Sequence, residues 1–205
     1  MSFTKNKELR IVDIIKKAKE FATKAHEGQV RKVRSNPFIE HPEGVAKILQ
    51  DAGMAAEVVA AGWLHDVVED TPYTIEDIDN EFGEKVATIV ASNTEKKLED
   101  DGNKRAWDDR KKDTINAIPE KTMEELALLI ADKLDNLQSL FHDALVIEKQ
   151  GEKIEDFFSK KMEDQVWYYT TIKEEVFANL DPKNEIPDFF IEYAALVEKF
   201  NKQYA

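Results

Sequence analysis

The stretch from Trp63 to Asp70, which reads WLHDVVED, constrains the fold of this chain more than any other. Four side chains that bind metals or protons lie within six residues here, directly after an apolar run. In a helix, residues three or four apart share a face, which would place His65 beside Glu69 and Asp66 beside Asp70. Buried ionisable groups are rare without a partner. The stretch therefore predicts a buried metal site, with a solvated helix end capped by His and Asp as the alternative.

The overall charge limits the partners of this chain. Its 205 residues include 29 basic and 42 acidic side chains, so the net charge of −13 disfavours general binding to nucleic acid or to an anionic membrane. The absence of cysteine excludes disulfides, thiolate metal sites and cysteine nucleophiles. The start lacks the apolar core of a signal peptide, and no apolar run reaches membrane-spanning length. We therefore expect a cytoplasmic protein.

Apolar residues recur at helical spacing along most of the chain, and no convincing alternating strand pattern is present. The length suffices for one good-sized core or two small domains, and no linker or repeat divides it. We therefore predict one all-helical domain over residues 1–205. The predicted helices cover residues 7–26, a helix opened by His41 and Pro42, a helix carrying His65 and Asp66 up to Thr71, one starting at Thr74, and residues 84–92, 122–146, 154–180 and 187–201.

Two basic segments stand out in this acidic chain. The first, residues 30–37, carries three positive charges and is either a solvated loop or an anion-binding loop. The second, residues 95–112, carries seven basic residues with Trp107 as its one obvious hydrophobic anchor. We expect it to form a mobile or partly ordered crossing, and its net positive charge keeps an anion-binding role open.

Asp132 interrupts the apolar face of the helix predicted over residues 122–146. Asn136 and Ser139 follow four and seven residues later, so all three side chains can point to one side. A carboxylate flanked by apolar residues needs a partner. We expect Asp132 to meet the segment of His65 and Asp66 across a shared metal ion.

With His41 added, the candidate ligands are two imidazoles and two carboxylates, a mixed set that suits Mn, Fe or Zn. Glu69 and Asp70 lie one helical turn further on, where they could handle a proton from an activated water molecule. A divalent ion both acidifies such a water and polarises a phosphoryl oxygen. The pattern therefore predicts hydrolysis of a phosphate ester.

This arrangement resembles that of the HD-domain metal phosphohydrolases. Within that group the chain is similar to the hydrolase domain of RelA/SpoT proteins, and more closely to the single-domain small alarmone hydrolases. The similarity covers roughly residues 15–180. The segments that carry it are His26-x-x-Gln29-x-Arg31-Lys32, Pro37-Phe38-Ile39-Glu40-His41-Pro42, Leu64-His65-Asp66-Val67-Val68-Glu69-Asp70-Thr71, Phe82-Gly83, Trp107-x-x-Arg110-Lys111, Ala131-Asp132-Lys133-Leu134-x-Asn136-Leu137 and Trp167-Tyr168-Tyr169.

The resemblance implies an all-α HD-domain bundle with a metal site between core helices. It also implies removal of the 3′-pyrophosphate from (p)ppGpp, the alarmone of the stringent response, giving GDP or GTP and pyrophosphate. The implied cofactor is one Mn²⁺ ion, with Fe or Zn possible, held by His41, His65, Asp66 and Asp132. Glu69 and Asp70 would orient and deprotonate the attacking water. The residues implied at the nucleotide are Arg31 against the purine, Lys32 nearby, Asn136 and Ser139 at the sugar or phosphates, and Lys97, Lys104, Arg110 and Lys111 at the departing pyrophosphate.

Some positions depart from the usual family pattern. Asp135 stands where His, Ser or Tyr is common and adds a negative charge near the expected nucleotide site. Lys133 replaces a more frequent Arg, and Ser139 replaces a Thr. The alternatives are an HD phosphohydrolase for another nucleotide, such as (pp)pApp or a nucleoside monophosphate, a non-catalytic nucleotide-binding HD scaffold, or a helical interaction module. The sequence leaves the oligomeric state open.

Overall fold

The computed structural model describes residues 2–31, 33, 35–157, 160–183 and 185–204, and it is all-helical. Within these residues the extended backbone pairs only at two isolated bridges, Val30 with Pro37 and Leu98 with Lys104. The helices are α1 (Ser2–Ala25), α2 (Glu40–Asp51), α3 (Ala56–Leu64), α4 (Val67–Asp70), α5 (Ile75–Phe82), α6 (Glu84–Asn93), α7 (Trp107–Asn116), α8 (Met123–Lys149), α9 (Met162–Asn179) and α10 (Asp188–Tyr204). Short 3₁₀ turns cover Ile118–Glu120 and Ile154–Phe157. The predicted all-α fold is confirmed.

Helix α3 lies at the centre of the packing, in contact with α1, α2, α6 and α8. Eight of its nine residues are buried, and such a helix, apolar on all sides, belongs in a protein interior. A Cβ atom placed on Gly62 would lie 2.9 Å from Leu49 Cδ1 and 3.1 Å from Ala46 Cα. The absence of a side chain at Gly62 therefore lets α2 approach α3 closely, which brings the start of α2 near the end of α3.

Helix α8 is the longest helix in the described part of the chain, with 27 residues, and it crosses α2, α3, α6 and α10. It begins with a capping box, in which the Glu125 backbone N–H donates to Thr122 Oγ1 and the Thr122 N–H donates to the Glu125 carboxylate. Its buried face runs from Leu126 to Ile147 and includes the surroundings of Asp132. The helix predicted from Thr122 is confirmed.

The helix predicted through His65 and Asp66 is interrupted at those two residues. Helix α3 ends at Leu64, His65 and Asp66 form a turn, and α4 begins at Val67. The Gly62 carbonyl, which a continuous helix would assign to the Asp66 backbone N–H, accepts a hydrogen bond from His65 Nδ1 at 2.9 Å. The side chain of His65 thus competes for a helical acceptor, and the continuous helix was a wrong prediction.

Two further boundaries differ from the predictions. Residues 95–112 were expected to form a crossing of low order, but α7 begins at Trp107, whose ring packs against Trp167 and Tyr168. The helix predicted from residue 154 begins instead at Met162, after the 3₁₀ turn Ile154–Phe157. The order of α7 depends on aromatic contacts with α9, a distant segment, rather than on local periodicity.

One hydrophobic core connects the two ends of the bundle. The aromatic residues of α9 and α10, predicted to be core, are mostly buried, and Tyr193 donates a hydrogen bond to the Tyr169 carbonyl. Trp167 is an exception, with 40% of its surface exposed. None of the helices in the described residues has both the length and the hydrophobicity that crossing a bilayer requires.

Candidate metal centre and adjoining cleft

His41, His65 and Asp132 form a compact group between α2, α3 and α8. One donor atom from each lies within 4.8 Å of the others. The two Nε2 atoms are 3.2 Å apart, and Asp132 Oδ1 lies 3.2 Å from His41 Nε2 and 3.8 Å from His65 Nε2. Neighbouring ligands of one ion, each about 2.1 Å from it, lie roughly 3 Å apart. The spacing therefore fits a shared metal ion.

Asp66 faces the same two imidazoles. Its Oδ2 lies 3.5 Å from His41 Nε2, and its Oδ1 lies 3.3 Å from His65 Nε2. Because Asp66 sits in the turn that interrupts the helix, its carboxylate points back toward the ring of the preceding residue. The structure thus brings together all four residues that the sequence analysis proposed as ligands.

The hydrogen bonds behind the two histidines orient their Nε2 atoms as ligands. The Gly62 carbonyl can only accept, so His65 Nδ1 must donate to it and, in a neutral ring, leave Nε2 with a lone pair. His41 Nδ1 lies 2.6 Å from Asp135 Oδ2, which likewise accepts. Two imidazole lone pairs and two carboxylates then converge on one buried point. These groups all accept hydrogen bonds, so they require a proton or a cation between them. Imidazole nitrogens and carboxylates are ligands that suit a borderline divalent metal.

The electrostatics of the group show the same demand for positive charge. Burial lowers the pKa of His41, but hydrogen bonds to Asp132 and Asp135 and the charge of Asp66 together raise it to about 10. Burial raises the pKa of Asp132, but Lys133, whose Nζ lies 2.6 Å from Oδ2, and the two histidines hold it well below its ordinary value. A metal ion would take the place of the proton on His41.

Glu69 and Asp70 lie side by side at the end of α4, and Lys97 spans them. Lys97 Nζ is 3.2 Å from Glu69 Oε2 and 2.5 Å from Asp70 Oδ1. The Glu95 backbone N–H donates to Glu69 Oε1 at 2.7 Å. Burial raises the pKa of the Glu69 carboxyl, and the hydrogen bond from Glu95 and the charge of Lys97 oppose that rise.

The other residues predicted to bind pyrophosphate, Lys104, Arg110 and Lys111, do not contact Glu69 or Asp70 as Lys97 does. Arg110 Nη1 and Lys111 Nζ each lie 2.5 Å from a carboxylate oxygen of Glu95. Burial raises the pKa of Glu95, but Lys111, Lys133 and Arg110 outweigh it and hold the pKa below its ordinary value. Arg110 and Lys111 therefore anchor the residue whose backbone holds Glu69. Lys104 is exposed in the loop before α7, at the bridge with Leu98.

A cleft of about 340 Å³ opens beside the metal group. Three of the residues predicted to contact the nucleotide line it, namely Arg31, Asn136 and Ser139. Asn136 Nδ2 donates to Asp132 Oδ1 at 2.5 Å, so the cleft and the metal group share a hydrogen bond. Lys32, the fourth predicted residue in this region, lies outside the described residues.

The sequence analysis missed several residues that shape this region. Tyr169 and Phe38 line the cleft, although the aromatic residues of α9 were predicted only as core. Gln29 links two segments: it accepts from His26 Nδ1 at 2.9 Å and donates to the Asp70 carbonyl at 3.0 Å. Asp135 was treated as a charge near the nucleotide, whereas its carboxylate contacts His41. Its spacing of three residues from Asp132 is the signal that could have revealed this.

The helical bundle and the His–Asp group together form an all-helical domain with a candidate divalent-metal centre. The sequence profile of the HD domain matches residues 18–160, which is more than half of the chain, so the chain belongs to the HD-domain family. A probable guanosine-3′,5′-bis(diphosphate) 3′-pyrophosphohydrolase of Mycoplasma pneumoniae is 31% identical over 189 residues, covering 85% of this chain and 25% of that relative. The predicted family, of RelA/SpoT hydrolase type, is confirmed. The chain spans only about a quarter of that relative's length.

Solved structures share this fold. The crystal structure of lmo0812 from Listeria monocytogenes EGD-e is 42% identical, with a TM-score of 0.68 over 80% of this chain and 98% of that chain. A metazoan ortholog of SpoT, described as hydrolysing ppGpp, has a TM-score of 0.70 over 91% of this chain and 94% of that chain. Its identity is 23%, so this likeness concerns the fold alone.

Proposed function

We propose that the chain hydrolyses (p)ppGpp at its 3′-pyrophosphate in a Mn²⁺-dependent reaction, yielding GDP or GTP and pyrophosphate. The observation that carries this proposal is the hydrogen bond of 2.5 Å between Asn136 and Asp132, which connects the cleft to the metal group. A nucleotide whose base lies in the cleft can extend its phosphates toward the metal group. The name of the Mycoplasma pneumoniae relative supports the choice of substrate.

His41, His65, Asp66 and Asp132 would hold the ion. A divalent ion bound there supplies a Lewis acid for a phosphoryl oxygen and a more acidic water molecule. Mn²⁺ suits two imidazoles and two carboxylates, and Fe or Zn would fit the same donors. Lys133 donates to Asp132 Oδ2 at 2.6 Å and leaves Oδ1 directed at the histidines.

Glu69 would accept the proton of the attacking water at its carboxylate, and Asp70 would help to orient that water. The burial that raises the pKa of Glu69 makes its carboxylate a stronger base than an exposed one. Lys97 keeps the two carboxylates side by side, because its Nζ lies 3.2 Å from Glu69 Oε2 and 2.5 Å from Asp70 Oδ1. Its charge also suits it to the pyrophosphate that departs.

Arg31 would lie against the purine, and Asn136 and Ser139 would contact the sugar or the phosphates; Lys32 stays a prediction. Binding of pyrophosphate by Arg110 and Lys111 would require them to exchange their contacts with Glu95 for the product. Lys104 stays a weaker candidate. We propose that residues 1–205 act as a single domain on a small-molecule nucleotide rather than on nucleic acid. The cytoplasmic location stays a prediction.

The test is an ion-exchange assay of purified protein with ppGpp, with and without Mn²⁺, in which GDP and pyrophosphate are quantified. We expect both products in equal amounts only when Mn²⁺ is present. The Asp66→Asn variant should lose activity, because it removes a ligand charge. Cleavage of ppApp or AMP but not of ppGpp would show that (p)ppGpp is the wrong substrate. Nucleotide binding without any turnover would favour the scaffold alternative.

A further inference from the structure

Asp135 contacts the metal group from behind. Its Oδ2 lies 2.6 Å from His41 Nδ1, on the side of the ring opposite to Nε2. Asp135 comes from α8, one turn after Asp132, while His41 comes from the first turn of α2. Both side chains are well shielded, with 4% of the His41 side chain and 15% of the Asp135 side chain exposed. A single helix, α8, thus supplies one carboxylate to each end of the His41 ring.

Gly44 makes room for this contact. A Cβ atom placed on Gly44 would lie 2.1 Å from Asp135 Oδ1 and 3.0 Å from its Cγ, and the three nearest heavy atoms all belong to Asp135. Gly44 lies inside α2, where glycine is less stabilising than alanine. Its backbone does not have the positive φ that would call for glycine. The space it leaves for the Asp135 carboxylate accounts for its presence.

We propose that Asp135 is a positioning residue for the metal, which holds His41 with Nδ1–H toward Asp135 and Nε2 toward the ion, in space provided by Gly44. A carboxylate that accepts from a ligating histidine fixes its tautomer and its orientation and makes it a better ligand. The family resemblance assigned no such role to this position, where His, Ser or Tyr is common. The inference rests on the proposed metal site but not on the proposed substrate.

The contacts of Asp135 show which groups its negative charge faces. Arg31 Nη1 lies 3.6 Å from Asp135 Oδ2, and Arg31 Nη2 donates to Asn136 Oδ1 at 3.5 Å. The charge of Asp135 is therefore directed toward His41 and Arg31. Asp135 links the metal group to Arg31 in the cleft, so the residue that supports the metal also restrains a side chain of the proposed nucleotide site.

The test is calorimetric titration of the metal-free full chain with Mn²⁺. We expect Asp135→Ala to weaken Mn²⁺ binding by about 10- to 100-fold, the usual effect of removing such a partner. Asp135→Asn should lose less affinity for Mn²⁺, because its amide oxygen can still accept a hydrogen bond from His41 Nδ1–H. Glu148→Gln removes the same charge from an exposed position of α8 and should bind Mn²⁺ like the wild type. Binding by Asp135→Ala within twofold of the wild type would overturn the inference.

Gly44→Ala tests the inference independently, because its Cβ atom would displace only the Asp135 side chain. Alone, this substitution should weaken Mn²⁺ binding; combined with Asp135→Ala, it should cause no further loss. Circular dichroism and Tm of the metal-free variants establish that each is folded, and the double variant should be at least as stable as Asp135→Ala. Additive losses in the double variant would contradict the proposed role of Gly44. If the wild type binds no Mn²⁺, Fe²⁺ or Zn²⁺, the metal site itself falls and the inference falls with it.

Discussion

At the residue scale, the surroundings of Glu69 match those of a proton acceptor. Only 13% of its side chain is exposed, and both oxygens have partners, Glu95 N at 2.7 Å and Lys97 Nζ at 3.2 Å. These contacts fix the carboxylate without joining it to the histidines. This arrangement supports the role proposed for Glu69 in proton transfer rather than in metal binding.

Replacing Glu69 separates these two roles. We predict that Glu69→Gln lowers kcat by roughly 10²- to 10⁴-fold, the usual contribution of a general base, and leaves the Kd for Mn²⁺ unchanged. Single-turnover kinetics with ppGpp and calorimetric titration with Mn²⁺ measure the two effects. Glu152→Gln, at an exposed loop position, is the matched control. If Glu69→Gln loses the metal, Glu69 is a ligand and the division of roles is wrong.

Lys97 should set the pH at which Glu69 works. Burial raises the pKa of Glu69, and Lys97 lowers it. In Lys97→Met the pKa of Glu69 should rise further, so that activity is lost at a higher pH as the solution is acidified. The acid limb of the pH profile of kcat/KM, which reports groups of the free enzyme, should move upward. Lys97→Arg keeps the charge and should leave the limb near its wild-type position; an unmoved limb in Lys97→Met would refute the coupling.

At the scale of elements, the metal group depends on how closely α2 approaches α3. Helix α2 carries His41, and α3 ends directly before His65, so the separation of the helices sets the distance of 3.2 Å between the two Nε2 atoms. Gly62 permits this approach and also provides the carbonyl that accepts from His65 Nδ1. One residue therefore serves both helix packing and ligand orientation.

We predict that Gly62→Ala destabilises the protein by about 1–3 kcal/mol, the usual effect of overpacking a core. The added methyl group must push against Leu49 and the Ala46 backbone, so the Kd for Mn²⁺ should rise as well. Urea unfolding and Mn²⁺ titration measure these effects. Gly44→Ala in the Asp135→Ala background serves as the reference for the same change in a helix without a clash. Unchanged stability and metal affinity would show that α2 and α3 can separate freely.

At the scale of the whole molecule, the bound ion should add to the stability of the fold. The ligands come from α2, α8 and the turn after α3, so one ion would connect three segments of the bundle. The converging acceptors repel one another unless a positive charge lies between them. The net charge of −13 of the whole chain adds to this repulsion.

We predict that Mn²⁺ at about 100 times its Kd stabilises the chain by about 2.7 kcal/mol. For a chain of this size the gain corresponds to a rise in Tm of roughly 5–10 °C, measured by circular dichroism. EDTA should reverse the rise, and Asp132→Asn should abolish most of it. A Tm that no divalent ion changes would argue against the metal centre.

The features that follow from nearby residues could be predicted from the sequence. The capping boxes Thr74–Asp77 and Thr122–Glu125 and the helical periodicity of α1 and α8 all depend on spacings of three or four residues. The interruption at His65 could not be read in this way, because it depends on the His65 side chain turning back to the Gly62 carbonyl. The order of α7 depends on rings contributed by α9.

The sequence by itself determined an all-helical chain, its acidic balance and the residue types of a divalent-metal site, because these follow from composition and short-range spacing. Only the tertiary structure decided which side chains contact one another around those residues. His41 and Asp135 are 94 positions apart, and Glu69 and Glu95 are 26 apart. Contacts over such separations depend on tertiary packing, and the absence of a Cβ atom at Gly44 and Gly62 leaves space for the Asp135 carboxylate and for the approach of α2 to α3.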